Sequence, residues 1–208
     1  MNQTRQTPVL DTGRGAVDGR TMRRDRNRTA VITALLDMIR EGDLHPGAAE
    51  IAERAGVSHR SVFRYFDDLD DLARTAIDQA FRDAAPLSTI PDAGHGTFEE
   101  RVANLVDARL ALFAFVDGTM QLARLRAYTI PSIDEEIAVI AEQFRDQTRE
   151  HFAVELAARA QSERDFIVDA VVVLTSYDSY AIHTRLFASS IERTRAAWIV
   201  GLSALLRI

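Results

Sequence analysis

The residues best suited to chemistry lie in a short segment, 58–66, that reads SHRSVFRYF. On a helix, where each residue turns by about 100°, Arg60 and Arg64 lie on the side opposite Val62 and Phe66. Guanidinium, imidazole and hydroxyl groups donate hydrogen bonds to phosphate oxygens and to acceptor atoms on base edges. This pattern therefore predicts a helix with an apolar back and a front that can contact nucleic acid.

Two helices joined by a tight turn would hold this front in place. The preceding run, PGAAEIAERAGV from Pro46, puts Ile51 and Ala52 on one apolar face and ends near Gly56. Glycine readily takes the left-handed conformation that ends many helices, and Ser58 is a good N-cap for the next helix. The segment therefore predicts a helix-turn-helix, although a purely structural helical hairpin can show the same pattern.

The run IAERAGVSHRSVFRYF resembles the helix-turn-helix of the TetR (tetracycline-repressor-like) family, whose pattern is roughly I-A-x-x-A-G-V-S-x-x-x-hydrophobic-Y-x-aromatic-F. The residues that carry the resemblance are Ile51, Ala52, Ala55, Gly56, Val57, Ser58, Val62, Phe63 and Phe66. The resemblance implies an all-α fold, with an N-terminal three-helix helix-turn-helix domain followed by a helical ligand-binding and dimerisation domain. It also implies a sequence-specific DNA-binding transcriptional regulator. Such a protein would be a homodimeric repressor on a palindromic double-stranded DNA operator, relieved by a small-molecule effector.

The resemblance also assigns candidate DNA contacts. The three residues after Ser58 match positions that meet base edges, and Arg60 is suited to guanine. The run Phe63–Tyr65 would meet the DNA backbone or thymine methyl groups. The candidate DNA-binding residues are Arg24, Arg28, Gly47, Ala48, Ser58, His59, Arg60, Ser61, Phe63, Arg64 and Tyr65.

Three departures from the family pattern affect its usual phosphate contacts. The family commonly has Tyr where this chain has Phe63, Lys where it has Leu69, and Ser or Thr where it has Gly47. The acidic cluster Asp67–Asp71 surrounds Leu69; it suits a helix N-terminus but would repel a nearby phosphate. The alternative interpretation is therefore a small-molecule-binding helical dimer with weakened or lost DNA binding. An Arg-rich N-terminus could replace the missing contacts.

Charge is distributed unevenly along the chain. The 208 residues are 47% hydrophobic, contain no cysteine and have a formal net charge of −6. Residues 1–66 hold 11 Arg and 8 acidic residues, whereas residues 67–208 hold 14 Arg and 23 acidic residues. A basic N-terminal third is expected if only that end meets phosphate. Neither a signal-peptide core nor a membrane span is visible, so we expect a cytoplasmic protein with no membrane partner.

Hydrophobic periodicity and loop residues divide the chain into parts. Residues 1–26 are predicted as a flexible, Arg-rich arm, and residues 27–83 as the helix-turn-helix DNA-binding domain. The latter starts with a helix from Asn27 and ends with a linking helix at 67–83. A loop at 84–97 then precedes the ligand-binding and dimerisation domain at 98–208. Helices in that domain are predicted at 98–116, 119–128, 131–156, 162–187 and 190–206. The last two carry more apolar residues than one face needs, which predicts a homodimer through them.

Aromatic and polar residues of the C-terminal part are candidates for a ligand cavity. Tyr177, Tyr180 and His183 recur every three residues and so lie near one face of a largely apolar helix. Either they line a pocket, where a few polar groups orient a ligand, or they are satisfied core and interface residues. The candidate ligand-binding residues are Phe113, Arg124, Tyr128, Phe144, Tyr177, Tyr180 and His183.

No motif in the sequence predicts catalysis, a metal site or a cofactor. The histidines never form an H-x-x-x-H or H-E-x-x-H pair, and there is no G-x-S-x-G or phosphate-cradling glycine loop. The adjacent carboxylates at 99–100 and 135–136 are typical of the first turns of helices. We therefore expect a protein that is not an enzyme.

Overall fold

A computed structural model of the protein describes residues 15–207, and all regular structure in that range is helical. The N-terminal helices are α1 (Gly15–Arg40), α2 (Ala48–Arg54), α3 (His59–Tyr65) and α4 (Leu69–Ala84), with a 3-10 turn at Ala85–Leu87. The remaining elements are α5 (Phe98–Ala127), α6 (Pro131–His151), α7 (Ala153–Ala157), α8 (Gln161–Leu174), α9 (Tyr177–Ala181), a π-helical turn at Ile182–Leu186, and α10 (Ile191–Leu206). The prediction of an all-α fold is confirmed.

Two hydrophobic cores organise the described residues. The first lies among α1 to α4 and buries Val31, Phe66 and Ile77. It also takes in Leu122 and Ala123 from α5, so the four N-terminal helices do not form an isolated unit. Because burial of apolar surface is the main stabilising contribution to folding, this shared core ties α5 to the helix-turn-helix.

The second core is built from α5, α6, α8, α9 and α10 around a cluster of aromatic rings. The Phe113 ring lies at its centre, 5.8 Å from the Tyr177 ring and 5.9 Å from the Tyr180 ring. The rings of Phe144 and Trp198 are each 6.4 Å from it. Most of these contacts are edge-to-face, a geometry that aromatic pairs prefer.

The first helix is longer than predicted. It begins at Gly15 rather than Asn27, so residues 15–26, which the sequence predicted as part of a flexible arm, belong to α1. Residues 19–26 are exposed, so this part of the helix shows no apolar stripe. Adding a residue to an existing helix is far easier than nucleating one, and Arg and Met are good helix formers. The rest of the predicted arm, residues 1–14, lies outside the described residues.

The fifth helix is continuous where two helices, 98–116 and 119–128, were predicted. Gly118 lies between the two predicted segments, and α5 runs through it to Ala127. A Cβ atom at Gly118 would lie 3.1 Å from Cγ2 of Ile39 and 3.2 Å from the backbone nitrogen of Arg40. Gly118 therefore allows the C-terminal end of α1 to cross α5 closely, and it does not end the helix.

Two predicted long helices are interrupted instead. The helix predicted at 162–187 breaks after Leu174, where the Thr175 hydroxyl donates to the carbonyl of Val171 at 2.8 Å. The Ser176 hydroxyl then accepts from the backbone N–H of Ser179 at 3.1 Å and starts α9. The helix predicted at 131–156 ends at His151, because Phe152 turns into the core with no exposed surface. Local side-chain hydrogen bonds and tertiary packing override the helical period at both places.

A buried polar cluster joins the 92–97 loop to α5 and α6. His151 is buried; the Gly94 N–H donates to its Nδ1 at 3.0 Å, and its Nε2 lies 2.8 Å from the Arg101 carbonyl. These partners require a neutral imidazole that carries its proton on Nε2. Nearby, Arg101 forms a buried ion pair with Glu155 and donates to the Gly96 carbonyl. Burial lowers the pKa of His151 below its ordinary value of 6.5.

The protonation of His151 predicts a pH dependence of stability. Since the folded-state pKa lies below the unfolded value, the unfolded chain binds the proton first as pH falls. This contribution to stability is therefore complete above about pH 6.5 and is lost as pH falls toward the folded-state pKa. Urea unfolding from pH 7.5 to 5 should show this loss in the wild type and a smaller loss in His151→Gln. An identical pH profile for the two proteins would contradict the assignment.

Candidate nucleic-acid interface and ligand cavity

The turn between α2 and α3 has the geometry that the sequence predicted. Gly56 takes φ +66°, and the Val57 N–H donates to the Ala52 carbonyl at 3.0 Å. The Ser58 hydroxyl accepts from the Ser61 N–H at 3.2 Å and caps α3. These local contacts fix the direction in which α3 leaves the turn.

Helix α3 is anchored on one side and open on the other. Val62 and Phe66 are buried in the first core, whereas His59, Arg60 and Phe63 are exposed. The His59 and Phe63 rings pack edge-to-face with centroids 5.1 Å apart. Within residues 15–207, no hydrogen bond or ion pair engages the Arg60 guanidinium. A rigid helix with an unpaired guanidinium at its front can donate two parallel hydrogen bonds to a planar acceptor pair.

The extended α1 continues this surface. Arg64 donates to the Tyr65 hydroxyl at 2.7 Å, and Asn27 of α1 donates to the same oxygen at 3.4 Å. The Asn27 contact lowers the pKa of Tyr65, and Arg64 and the charge of Arg24 add to this effect. Arg28 places its guanidinium 5.0 Å from the centre of the Phe66 ring. Because the Tyr65 oxygen accepts from two donors, its own proton stays free to reach a phosphate.

The N-terminus of α2 departs from what the sequence suggested. The N–H of Gly47, one of the candidate DNA-binding residues, donates to Oε2 of Glu50 at 2.7 Å. The Glu50 carboxylate takes this role because an acid three residues into a helix can reach back to the N-cap backbone. Gly47 is therefore a cap residue whose amide is occupied, and Ala48 opens the helix behind it.

The acidic cluster at the start of α4 is largely engaged in structure. Asp68 caps α4 by accepting from the Asp71 N–H at 2.7 Å. Asp71 in turn accepts from the Asp67 N–H at 3.1 Å. Asp70 forms an ion pair with Arg126 near the end of α5, 2.6 Å between the charged atoms. The cluster thus stabilises the α4 N-terminus and links it to α5.

A cavity of about 370 Å³ lies between α4, α5, α6 and the α8–α9 junction. Of the predicted ligand-binding residues, Phe113, Arg124, Phe144 and Tyr177 line it. The lining that sequence reasoning did not assign comes mainly from α4 and α6 and is mostly apolar. These residues include Phe81, Ala84, Leu112, Val116, Met120, Ile137, Ile140 and Val172. Such residues show only the pattern of core positions, so no sequence signal separates them from the core.

Three predicted ligand-binding residues lie elsewhere. Tyr128 is 93% exposed, because it follows the last residue of α5 and extends from the surface. Tyr180 is buried in the aromatic cluster against Phe113 and is not part of the cavity wall. His183 falls in the π-helical turn, where its ring packs against Phe187 with centroids 5.7 Å apart. The helical register changes at Ile182, where the π-helical turn begins, so His183 does not continue the α9 face of Tyr177 and Tyr180.

The charged groups of the cavity wall are few. Arg124 is paired with Asp178, and Arg82 is exposed near the rim. Glu136 is partly buried; burial raises its pKa, and the charge of Asp78 adds to this. The Tyr177 hydroxyl donates to Asp117 at 2.9 Å, away from the cavity, and burial raises its pKa.

Comparison with known proteins places the fold. No protein-family model matches the sequence, and no curated protein does either. Among solved structures, a transcriptional regulator from Rhodococcus sp. Rha1 is 20% identical, with a TM-score of 0.65 over 86% of this chain and 96% of that one. A tetR-family transcriptional regulator from Streptomyces coelicolor is 18% identical, with a TM-score of 0.69 over 87% and 80%. The multidrug binding protein EbrR, complexed with imidazole, is 20% identical, with a TM-score of 0.58 over 88% and 96%.

Two further observations concern the described residues. No helix within 15–207 combines the length and the apolar content needed to cross a membrane. In the same range, no three His, Cys, Asp or Glu side chains are grouped so that they could hold a metal ion.

The backbone of Gly56 predicts a test of the turn. Gly56→Ala should lower the free energy of unfolding by about 1–2 kcal/mol, because the alanine Cβ strains the left-handed conformation. No atom would clash with that Cβ, so strain is the only cost. The control is Gly19→Ala in the exposed part of α1, which should be neutral or stabilising by up to about 1 kcal/mol. Urea denaturation measures both, and equal effects of the two changes would contradict the assigned turn.

The geometry of the helices and the structural matches agree, and the chain has the all-α fold of TetR-family transcriptional regulators.

Proposed function

We propose that the protein is a sequence-specific DNA-binding transcriptional regulator that acts as a homodimer on a palindromic operator. The observation that carries the proposal is the exposed front of α3, where an unengaged Arg60 stands on a helix anchored by Val62 and Phe66. A helix presented this way fits the major groove, and two of them in a dimer read two half-sites. The basic N-terminal third of the chain supports the same assignment.

The residues of this surface divide by role. Arg60 reads a base, with guanine as its best partner because that base offers two acceptors in the major groove. His59 and Ser61 border the same groove edge. Arg24 of α1, together with Arg64 and Tyr65 at the end of α3, contacts phosphates, which fixes the position of α3 without reading sequence. In the acidic cluster at 67–71, Asp68 accepts a backbone hydrogen bond and Asp70 is paired with Arg126, which reduces the repulsion of DNA phosphates by the cluster.

These two roles predict different effects of two Arg substitutions. Arg60→Ala should cost about 1–3 kcal/mol on the best operator and relax the preference at one base pair. Arg24→Ala should weaken binding about equally on all sequences and lower the slope of log affinity against log salt by about 1. Fluorescence anisotropy with operator and scrambled duplexes at several salt concentrations measures both.

A matched control is Arg145→Ala. Arg145 lies on α6, far along the chain from α3, and it forms an ion pair with Asp169 of α8. It should leave the affinity and the salt slope unchanged. If Arg60→Ala weakened binding equally on operator and scrambled duplexes, Arg60 would be a phosphate contact and the proposed readout would be wrong.

Helices α8 and α10 support the proposed dimer. They pack closely against each other at Gly201: a Cβ there would lie 2.7 Å from Cδ2 of Leu174, so the Leu174 side chain would have to move. On their outer side, Phe166, Val173 and Val200 are exposed. Exposed apolar residues on two neighbouring helices are typical of a surface that a second copy covers. This face corresponds to the last long helices that the sequence predicted for dimerisation.

Placing a charge on this face should separate the dimer. Val173→Arg is expected to lower the molar mass measured by light scattering toward that of one chain, because an arginine cannot be buried there unpaired. Operator affinity should fall with it, since only one half-site would be read at a time. The control is Val154→Arg on α7, a valine of the same exposure, 68% against 69%. A Val173→Arg protein that remained dimeric would exclude this interface.

The cavity supports regulation by a small molecule. Its wall includes Phe81 and Ala84 of α4, the helix that directly follows α3. The α5 side of the wall continues to Arg126, which holds Asp70 at the start of α4. A ligand that favours one spacing of the two α3 helices must change DNA affinity, and DNA must change ligand affinity by the same factor. We propose that the ligand favours the spacing that releases the operator.

A further inference from the structure

Arg109 on α5 is a buried cation without a counterion. It is 1% exposed, and its Nη2 donates to Oε1 of Gln147 at 2.8 Å. Its guanidinium carbon lies 3.6 Å from the centre of the Phe144 ring. Its Nη1 is buried with no hydrogen-bond partner, and no carboxylate of residues 15–207 forms an ion pair with it. Burial alone lowers its pKa to about 9.

The groups around Arg109 do not neutralise it. The neighbouring Arg101 already takes the carboxylate of Glu155. His151 is held in its neutral form by Gly94 and the Arg101 carbonyl. This end of the core therefore contains two guanidinium groups and one carboxylate. An unpaired charge in a protein interior is strongly unfavourable, although a cation–π contact offsets part of that cost.

Arg109 lies directly behind the wall of the cavity. Phe144 lines the cavity and Arg109 does not, so the ring separates the guanidinium from the empty space. Gln147 links Arg109 to the cavity wall: its Oε1 accepts from Arg109, and its Nε2 donates to the carbonyl of Ser88, another wall residue, at 2.9 Å. A rotation of the Phe144 side chain would open the cavity to the free Nη1.

We propose that the cavity binds an amphipathic acid, an alkyl or aryl body with a carboxylate that pairs with Arg109 once the Phe144 ring turns aside. The inference rests on the proposed function, because it names the chemical class of the effector in that cavity. The mostly apolar wall holds the body, and the carboxylate supplies the counterion that Arg109 lacks.

The charged groups of the cavity wall favour a cationic ligand less strongly than Arg109 favours an anionic one. Glu136 lies two turns before Phe144 on α6, about 12 Å along the helix, at the end where Arg82 also reaches the rim. Arg82 is exposed and Glu136 is only partly buried, so water screens both charges. Arg124 is paired with Asp178. Arg109, by contrast, is fully buried and pairs with no carboxylate of residues 15–207, so an anion gains more there than a cation gains at Glu136.

The test compares three probes that share a ten-carbon alkyl group and differ in their head groups: decanoate, decanol and decylammonium. Each is used below the concentration at which it forms micelles. The chain has one tryptophan, Trp198, which is buried 6.4 Å from the Phe113 ring of the cavity wall. Its fluorescence therefore reports occupancy of the full-length protein without DNA. Decanoate is expected to bind at least about tenfold more tightly than decanol, and more tightly than decylammonium.

Variants then assign the preference to one residue. Arg109→Met keeps the length and packing of the side chain and should abolish the advantage of decanoate over decanol. Arg109→Lys should retain part of it, and the control Arg195→Met, which removes an exposed Arg paired with Asp107, should retain all of it. Thermal unfolding checks that each variant is folded. If Arg109→Met does not fold, the comparison of the three probes on the wild-type protein still tests the proposal.

Several results would overturn the inference. These are equal or tighter binding of decanol or decylammonium, no binding of any probe, or an unchanged preference in Arg109→Met. Operator affinity of the ligand-free protein is measured separately. A protein that binds operator but fails the probe series would overturn only the inference about the acid. A protein that prefers decanoate but binds no duplex would overturn the proposed function and leave the acid site standing.

Discussion

The close crossing of α1 over α5 at Gly118 is the constraint on which the rest of the structure depends. A Cβ at that position would lie 3.2 Å from the backbone of Arg40, so any other residue would push the two helices slightly apart. The approach lets Leu122 and Ala123 of α5 enter the core of the helix-turn-helix. Since protein cores are close-packed and transmit displacement, α3 cannot change direction without a response in α5.

The same helix also connects both proposed binding surfaces. One end of α5 holds Asp70 of α4 through Arg126, and its middle supplies the wall residues Leu112, Phe113 and Met120 of the cavity. Helix α4 contacts both proposed binding surfaces, because its N-terminus follows α3 and its C-terminal half lines the cavity. A ligand that separates α4 from α5 must therefore strain either the shared core or the Asp70–Arg126 ion pair. This gives the proposed regulation a physical route that requires no disordered segment.

The helix-turn-helix could be predicted from sequence because its signals are local. The glycine turn at Gly56, the N-cap Ser58 and the apolar anchors Val62 and Phe66 each act within a few residues of chain. The misjudged features depend on distant contacts. Gly118 reads as a helix stop until α1 is known to cross it, and Phe152 and Thr175 break helices that periodicity alone would continue. The start of α1 was missed because an exposed helical extension needs no apolar pattern.

The candidate ligand site was predicted less completely for the same reason. Phe113 and Phe144 were assigned from residue type, but the apolar wall from α4 and α6 is indistinguishable from core in sequence. Tyr128 was assigned by type and proves to be a surface residue. Arg109 could not be identified, because an Arg on a helix is normally exposed. Only the packed structure reveals that no carboxylate of residues 15–207 pairs with it.

The most direct test of the central claim is selection of DNA from a random duplex pool by the purified full-length protein, followed by affinity measurements at several salt concentrations. We expect a palindromic consensus whose half-sites are about one helical turn apart, with binding that weakens as salt rises. A folded dimer that enriched no sequence, and bound no duplex even at low salt, would contradict the claim.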